Sequence, residues 1–244
     1  MMDWVRFTIV LALAVVIHPR EAQVGTVIPI MLGSSLNAAK DKPGKKLEGR
    51  VMQKVELPSG GAISERSRIF GHVVRVKPGL SGASIVVEFD SIQDQGSTIP
   101  ITTGLLALAS MGSVFDAQSP ISANSELDPV TQWVTRQVGG DVVRRGWGKV
   151  ASRQGVSGTW LEGSSVRIKL TPNPAAGCPG GPGYDREQAV WIFSSAACGT
   201  YGLDDVQISS SRDTAPGQIT LTSPRNVSVA GGSGWLLIAV GERR

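Results

Sequence analysis

Through much of this chain, apolar residues recur at every second position in short runs, and Gly, Pro, Ser or Asp separates one run from the next. Residues 47–57 alternate around Val51, Val55 and Leu57 and stop at Pro58-Ser-Gly-Gly. Residues 69–76 read Ile-Phe-Gly-His-Val-Val-Arg-Val and stop at Pro78-Gly. Residues 84–92 put Ile85, Val87 and Phe89 on one face and Val86, Glu88 and Asp90 on the other. A period of two bounded by turn residues predicts half-buried strands. The first run, over residues 24–36, is apolar without alternation and is interrupted by Pro29. Proline has no N–H for a central ladder, so this run predicts an edge strand or one with a break. A short Ile99-Pro-Ile-Thr-Thr piece follows the third run.

The middle of the chain carries a different pattern. Residues 105–111 are compactly apolar between Gly104 and Gly112, and fit either a short helix or a buried strand. Asp128-Pro129 supplies an N-cap and a first-turn proline, and Val130, Trp133, Val134 and Val138 recur at three and four before Gly139-Gly140, which predicts a helix of about three turns. Residues 117–127 and 139–158 are polar and rich in Gly and Ser, and read as connections. Residues 159–171 return to alternation, with Val166, Ile168 and Leu170 set against Arg167 and Lys169. Pro172-Asn-Pro then marks a boundary. Beyond it, residues 189–194, 206–210, 218–222, 226–229 and 235–240 are five further strand candidates. The expected fold is mainly β: a barrel- or sandwich-like domain over residues 24–172 with one or two short helices, then a small β unit over residues 175–244.

The first residues alter the setting. Residues 7–17 are an unbroken weakly polar or apolar stretch, too short for the roughly 20 residues that span a bilayer but suited to a secretory h-region. Residues 1–22 are therefore expected to be a signal peptide, the alternative being an uncleaved anchor, and no later segment is apolar enough to be a transmembrane helix. An exported chain with two cysteines, Cys178 and Cys198, most simply joins them in a disulfide that closes the C-terminal unit. Two free thiols are the alternative.

The net charge of +4 is local. Lys40, Lys42, Lys45, Lys46, Arg50 and Lys54 face only Asp41 and Glu48 in one short segment. That segment has no aromatic residue to stack on a base, which argues against nucleic acid. It reads as a solvated basic turn or, through Lys42, Lys45, Lys46 and Arg50, as a contact for a partner. Arg144, Arg145 and Trp147, in the loop Arg144-Arg-Gly-Trp-Gly-Lys, form a second candidate contact.

Several of these residues resemble a known family. Gly25-Thr-Val-Ile-Pro-Ile-Met-Leu, Pro43-Gly ahead of Gly49-Arg-Val, and Arg66-Ser-Arg-Ile-Phe-Gly-His-Val are similar to the β-barrel module of TrbI-like proteins, components of conjugation and type IV secretion machines in the outer-membrane complex. The resemblance covers residues 25–104 and, loosely, 159–171, where Glu162-Gly-Ser-Ser-Val-Arg-Ile-Lys-Leu would supply a later barrel strand. Ser64-Glu65-Arg66 departs from the family's Pro-x-Gly, and residues 175–244 have no counterpart. The resemblance implies a barrel fold and a place in an envelope assembly, in the periplasm or at the outer membrane, with an envelope protein or cell-surface component as partner.

Candidate chemistry is sparse. Beyond the leader His72 is the only histidine, which leaves one base for a Ser-His-Asp triad and no multi-histidine metal site. Phe70, His72 and Val74 share a face, without a Gly-x-Ser-x-Gly motif. Glu88 and Asp90 share a face as well, and could form a glycosidase-like pair, although same-strand neighbours more often make a solvated polar face. Asp204-Asp205 lacks the spaced oxygens of a calcium loop. Trp133, Trp191 and Trp235 lie within apolar periodicity and read as core. These features lead to the expectation of a non-enzymatic structural or interaction module with no cofactor or metal. An exported hydrolase using His72, Glu88 or Asp90, or a glycan-binding protein, is the alternative.

Overall fold

The computed structural model describes residues 22–79, 82–119, 121–122, 133–139, 142–145, 149–152, 155–160, 168–170, 188–194, 197–209 and 215–241. In chain order its first elements are β1 (Val27–Leu32), β2 (Leu36–Asn37), β3 (Lys46–Val51), β4 (Val55–Glu56), β5 (Ala62–Ile63), β6 (Arg68–Lys77), β7 (Ala83–Asp94), β8 (Ser97–Pro100), β9 (Thr103–Ala109) and the helix α1 (Met111–Gln118). Then come β10 (Ile121–Ser122), β11 (Trp133–Arg136), β12 (Val142–Arg145), β13 (Lys149–Ser152), β14 (Gly155–Trp160) and β15 (Ile168–Leu170). The last are β16 (Gly199–Tyr201), β17 (Gln207–Ser209), β18 (Gln218–Ser223), β19 (Ser228–Val229) and β20 (Gly234–Ala239). The protein is mainly β with one short helix.

Ten strands make one large mixed sheet in the order β16-β9-β20-β1-β3-β6-β7-β18-β17, with β8 also on β7. Only β16 with β9 is parallel among its ladders. Laid flat, the nine strands from β16 to β17 would extend about 38 Å. Residues 202–206 connect those two end strands, and five residues reach at most about 18 Å. The sheet therefore curls on itself. It stays open, with no ladder between β16 and β17 among the described residues. Strands β10 to β15 form a separate antiparallel meander inserted between β9 and β16.

Two apolar clusters lie on opposite sides of β1, β9 and β20. Ile28, Ile30, Leu32, Leu108, Trp235 and Leu237 join Leu47, Ile69, Val87 and Phe89 inside the curl. There the Trp235 and Phe89 rings meet edge to face at 5.7 Å. Val27, Ala107, Leu236 and Ile238 face outward, under α1 and the turn formed by residues 189–193. Buried on both faces, these three strands show continuous apolar runs, whereas β3, β6 and β18 alternate.

Residues 189–194, expected as a strand, belong to a buried turn over 188–194 that three glutamines anchor. Trp191 N–H donates to Gln53 Oε1 at 2.8 Å, and Gln137 Nε2 donates to the Phe193 carbonyl at 3.0 Å. Gln188 accepts from Val27 N–H and donates to the Gly25 carbonyl. Trp191 sits at φ 50°, in the left-handed region unusual for a bulky residue, and stays there because its surroundings fix it. Gly234 leaves the room, since a Cβ there would lie 3.2 Å from the indole. Trp191 and Trp235 are core residues, as expected; the Trp133 side chain lies outside the described residues.

Further expectations change. Residues 133–136 are strand β11 rather than helix: Trp-Val-Thr-Arg is rich in strand formers, and a short apolar run fits both periods. Residues 139–158, read as connections, contain β12, β13 and part of β14. The helix lies instead at Met111–Gln118, where the Ser110 side chain accepts from Ser113 N–H as N-cap. Strand β1 is central rather than an edge, because Pro29 precedes the start of its ladder with β3 at Ile30 and needs only its carbonyl, which accepts from Met52 N–H.

The boundary near residue 172 does not separate two sheets. β16, β17, β18 and β20 lie in the same sheet as β1, β3, β6, β7 and β9, since antiparallel pairing of β20 with β1 closes across nearly the whole chain. Residues 168–170, expected to serve the barrel, pair in the meander. No cysteine among the described residues is a free thiol; Cys178 lies outside them. No described helix is long and apolar enough to cross a membrane.

Gln53→Ala should lower stability by about 1–3 kcal/mol, the cost of leaving the Trp191 N–H without an acceptor in the interior. This would be read as a lower urea midpoint at unchanged slope. An unmoved midpoint would mean that the turn does not depend on this bond.

Candidate functional site

The outer surface of the sheet is divided. Over β9, β20 and β1 the second apolar cluster covers it, while over β3, β6 and β7 it faces water. Alternation on β3 turns Lys46, Glu48 and Arg50 outward and buries Leu47, Gly49 and Val51. On β6 the outward residues are Arg68, Phe70 and His72. Strand register then fixes a grid: Lys46 beside His72 beside Glu88, Glu48 beside Phe70 beside Ser91, and Arg50 beside Arg68 beside Gln93.

A bulge shapes the centre of this grid. Phe70 pairs with Ser91 and Gly71 with Phe89, leaving Asp90 as the extra residue on β7. Bulges re-aim side chains, and here Asp90 turns toward His72. The strands approach so closely that a Cβ on Gly71 would overlap the Glu88 carbonyl oxygen. Glycine is required at this crossing for space, not for an unusual backbone angle.

His72 Nδ1 is 3.3 Å from Asp90 Oδ2, and Nε2 is 3.8 Å from Glu88 Oε2. Ser91 Oγ donates to Asp90 Oδ1 at 2.9 Å. The three residues considered for hydrolysis do come together. Only Nδ1 is within hydrogen-bond distance of a carboxylate; Nε2, at 3.8 Å from Glu88, is not. The neighbouring serine hydroxyl is engaged by Asp90 rather than by His72. No group able to hold a metal is found among the described residues. The side chains of His72, Glu88 and Asp90 are 41%, 30% and 53% exposed, on an open face.

At the other end, Arg68 Nε donates to Glu48 Oε1 at 2.8 Å, and the guanidinium lies 4.9 Å from the centre of the Phe70 ring. The hydrogen bond from Arg68 holds the Glu48 carboxyl below its ordinary value of 4.5; the charges of Arg68 and Arg50 act the same way, and desolvation opposes them. The same bond raises the Arg68 pKa. Arg50, directly opposite Arg68, has no ion-pair partner among the described residues.

The basic segment does not act as one patch. Lys46 and Arg50 belong to the grid, and Lys42 lies in the exposed turn before β3. Lys45 is occupied: its Nζ donates to the Ser35 carbonyl at 2.6 Å and to Asp41 at 2.8 Å. Lys54 pairs with Glu56. Arg144 and Arg145 lie on β12, but their side chains, and Trp147 altogether, are outside the described residues. Asp205 is taken by Arg225, which removes it from a cation site. Sequence reasoning missed Glu48 and Arg68 as site residues. Their outward alternation was visible, but only the β3–β6 register brings them together.

Gly71→Ala should cost about 1–3 kcal/mol, as overpacking between backbones does, and should shift the His72 ring resonances as Asp90 is displaced. Unaltered stability together with unaltered resonances would show that the strands separate freely at the bulge.

No protein-family model, curated protein or solved structure matches this chain, so the role of this face is argued from its own residues.

Proposed function

We propose that this is an exported, non-enzymatic interaction module of a bacterial envelope assembly, of the kind found in conjugation or type IV secretion machines, located in the periplasm or at the outer membrane. The observation that carries the reading is the open outer face of β3, β6 and β7. Lys46, Arg50 and Arg68 stand there among Glu48, Glu88 and Asp90 around a half-buried Phe70. Ordered charges around an aromatic residue are recognition chemistry, and the Ser91 hydroxyl beside His72 is bonded to Asp90 rather than to the imidazole. The apolar leader supports export, and the similarity of residues 25–104 to the TrbI-like barrel module supports the kind of assembly.

The role is tested by mild cross-linking and co-purification from the envelope of cells that make the protein. The native chain should bring down a defined envelope protein or cell-surface component, and Lys46→Glu with Arg50→Glu should lose it while circular dichroism stays unchanged. Recovery only from cytosol, or equal capture by both chains, would overturn the reading.

A disulfide between Cys178 and Cys198 completes the proposal. It would tie residues 171–187 to β16, with roughly 3 kcal/mol of stabilisation on loop-entropy grounds. Cys198 is already held locally, its N–H donating to the Tyr201 hydroxyl, which in turn donates to the Cys198 carbonyl, both at 2.9 Å. Denatured protein should show no reactive thiol before reduction and two after it; two before reduction would exclude the bond.

A further inference from the structure

The grid on the open face has a geometric property that isolated charges would not have. Glu88 occupies one corner with Asp90 beside it, Arg50 occupies the diagonally opposite corner with Arg68 beside it, and Phe70 is at the centre. The remaining corners are Lys46 and Gln93. A two-fold axis in the plane of the face, along the diagonal from Lys46 to Gln93, sets the acidic corner of one copy on the basic corner of the other, with Lys46 meeting its equivalent at one end of the axis. Glu88 then lies over Arg50 of a second copy, Asp90 over the gap between Arg50 and Arg68, and His72 over Glu48. Phe70 meets its equivalent on the axis. The other diagonal would place Glu88 on Glu88. An axis along the strands would place Arg68 on Arg68, and one across them would place Glu48 on Glu48. Each of the four axes meets at least one like-charge pair, and the Lys46–Gln93 diagonal alone sets the Glu88–Asp90 corner on the Arg50–Arg68 corner.

We propose that two copies of this chain associate face to face through β3, β6 and β7, with strands crossing near right angles and Glu88 and Asp90 of each copy on Arg50 and Arg68 of the other. This deepens the interaction-module reading and rests on it. Three strands span about 10 Å across and four residues about 13 Å along a strand, a difference that long side chains absorb. Near-perpendicular crossing is an established way for two sheets to pack. Arg50 and Arg68 face each other in register, and the charges of both act on the single Glu48 carboxylate. Within one chain Glu48 answers Arg68, whereas Arg50 has no ion-pair partner among the described residues. Two carboxylates arriving from a second copy relieve both cations. The outer cluster over β1, β20 and β9 does not extend over β3, β6 and β7. The contact is small, so association is weak and concentration-dependent, and salt opposes it.

Sedimentation of the full chain over a range of concentrations tests this directly. The native chain should shift from monomer to dimer as concentration rises, and the shift should weaken in high salt. Arg50→Glu with Arg68→Glu should abolish it, as should Glu88→Arg with Asp90→Arg. All four substitutions in one chain leave the net charge unaltered and should restore the dimer. Should that chain fail to fold, mixing the two doubly substituted chains should restore it instead. A native chain that stays monomeric throughout overturns the proposal, as do persistence of the dimer in either double variant and failure of both restorations. Were the native chain monomeric yet still dependent on Lys46 and Arg50 for capture of an envelope partner, self-association would fall and the interaction-module reading would stand.

Discussion

β20 is buried at every one of its six positions, and the large sheet depends on that burial. It lies between β1 and β9 and feeds both apolar clusters, Trp235 and Leu237 on one side and Leu236 and Ile238 on the other. Without it, β1 would lose the ladder from Val27 to Met31 and β9 its antiparallel neighbour. The partners come from opposite ends of the chain, so the closure entropy of a very long loop is set against this pairing. Ladders of that kind form slowly compared with local hairpins such as β6–β7. The inner cluster is what makes the closure worthwhile: Trp235 enters it against Phe89 on β7, so the last strand secures the central hairpin as well as its own neighbours.

This dependence explains what could be read from the sequence. β3, β6 and β18 each have one wet face, and their period-two alternation marks them directly. β1, β9 and β20 have none, and their unbroken apolar runs carry no period that distinguishes strand from helix, which is why residues 105–111 stayed ambiguous. The C-terminal strands were recognisable as strands but not as members of the first sheet, because strand order is set by long-range packing that no local pattern encodes. At the candidate site, alternation placed Phe70 with His72 and Glu88 with Asp90. It could not place Arg68 against Glu48 or Arg50 against Arg68, since those neighbours exist only through register. The bulge at Gly71 was equally hidden, for it arises from one extra residue on the partner strand.

The 188–194 turn shows a second kind of constraint. A turn buried among Val190, Trp191, Ile192 and Phe193 carries backbone polar groups into a dry environment, where each unpaired donor is costly. Gln53, Gln137 and Gln188 answer that need with neutral amides, which offer both donor and acceptor and require no buried charge. Gln53 and Gln137 reach the turn from distant parts of the chain, and Gln188, in the turn itself, reaches Gly25 and Val27, so the turn links the connection after β3, the start of β1 and the base of the inserted meander. Its sequence reads as a plain apolar strand, and nothing within it reveals that its hydrogen bonds are made by distant side chains.

The open face is under none of these pressures. Its charges sit in water, where individual pairs contribute little to stability, and the two apolar clusters secure the fold without them. Arg50 and Arg68 stand in register around one carboxylate, Glu48, an arrangement the closure of the sheet does not require. The same face holds His72 beside two carboxylates and keeps three ionisable groups in fixed relation. Fixed relation matters more for recognition than for strength, because complementary charges select orientation and exclude wrong partners even where they add little affinity. A curled sheet is a rigid platform for such a pattern, since register and bulge position each residue through backbone hydrogen bonds rather than through mobile loops. This is the physical reason for reading the face as a recognition surface: the fold spends its apolar residues on closing the sheet, and the charges it leaves outside are ordered more strictly than solubility requires.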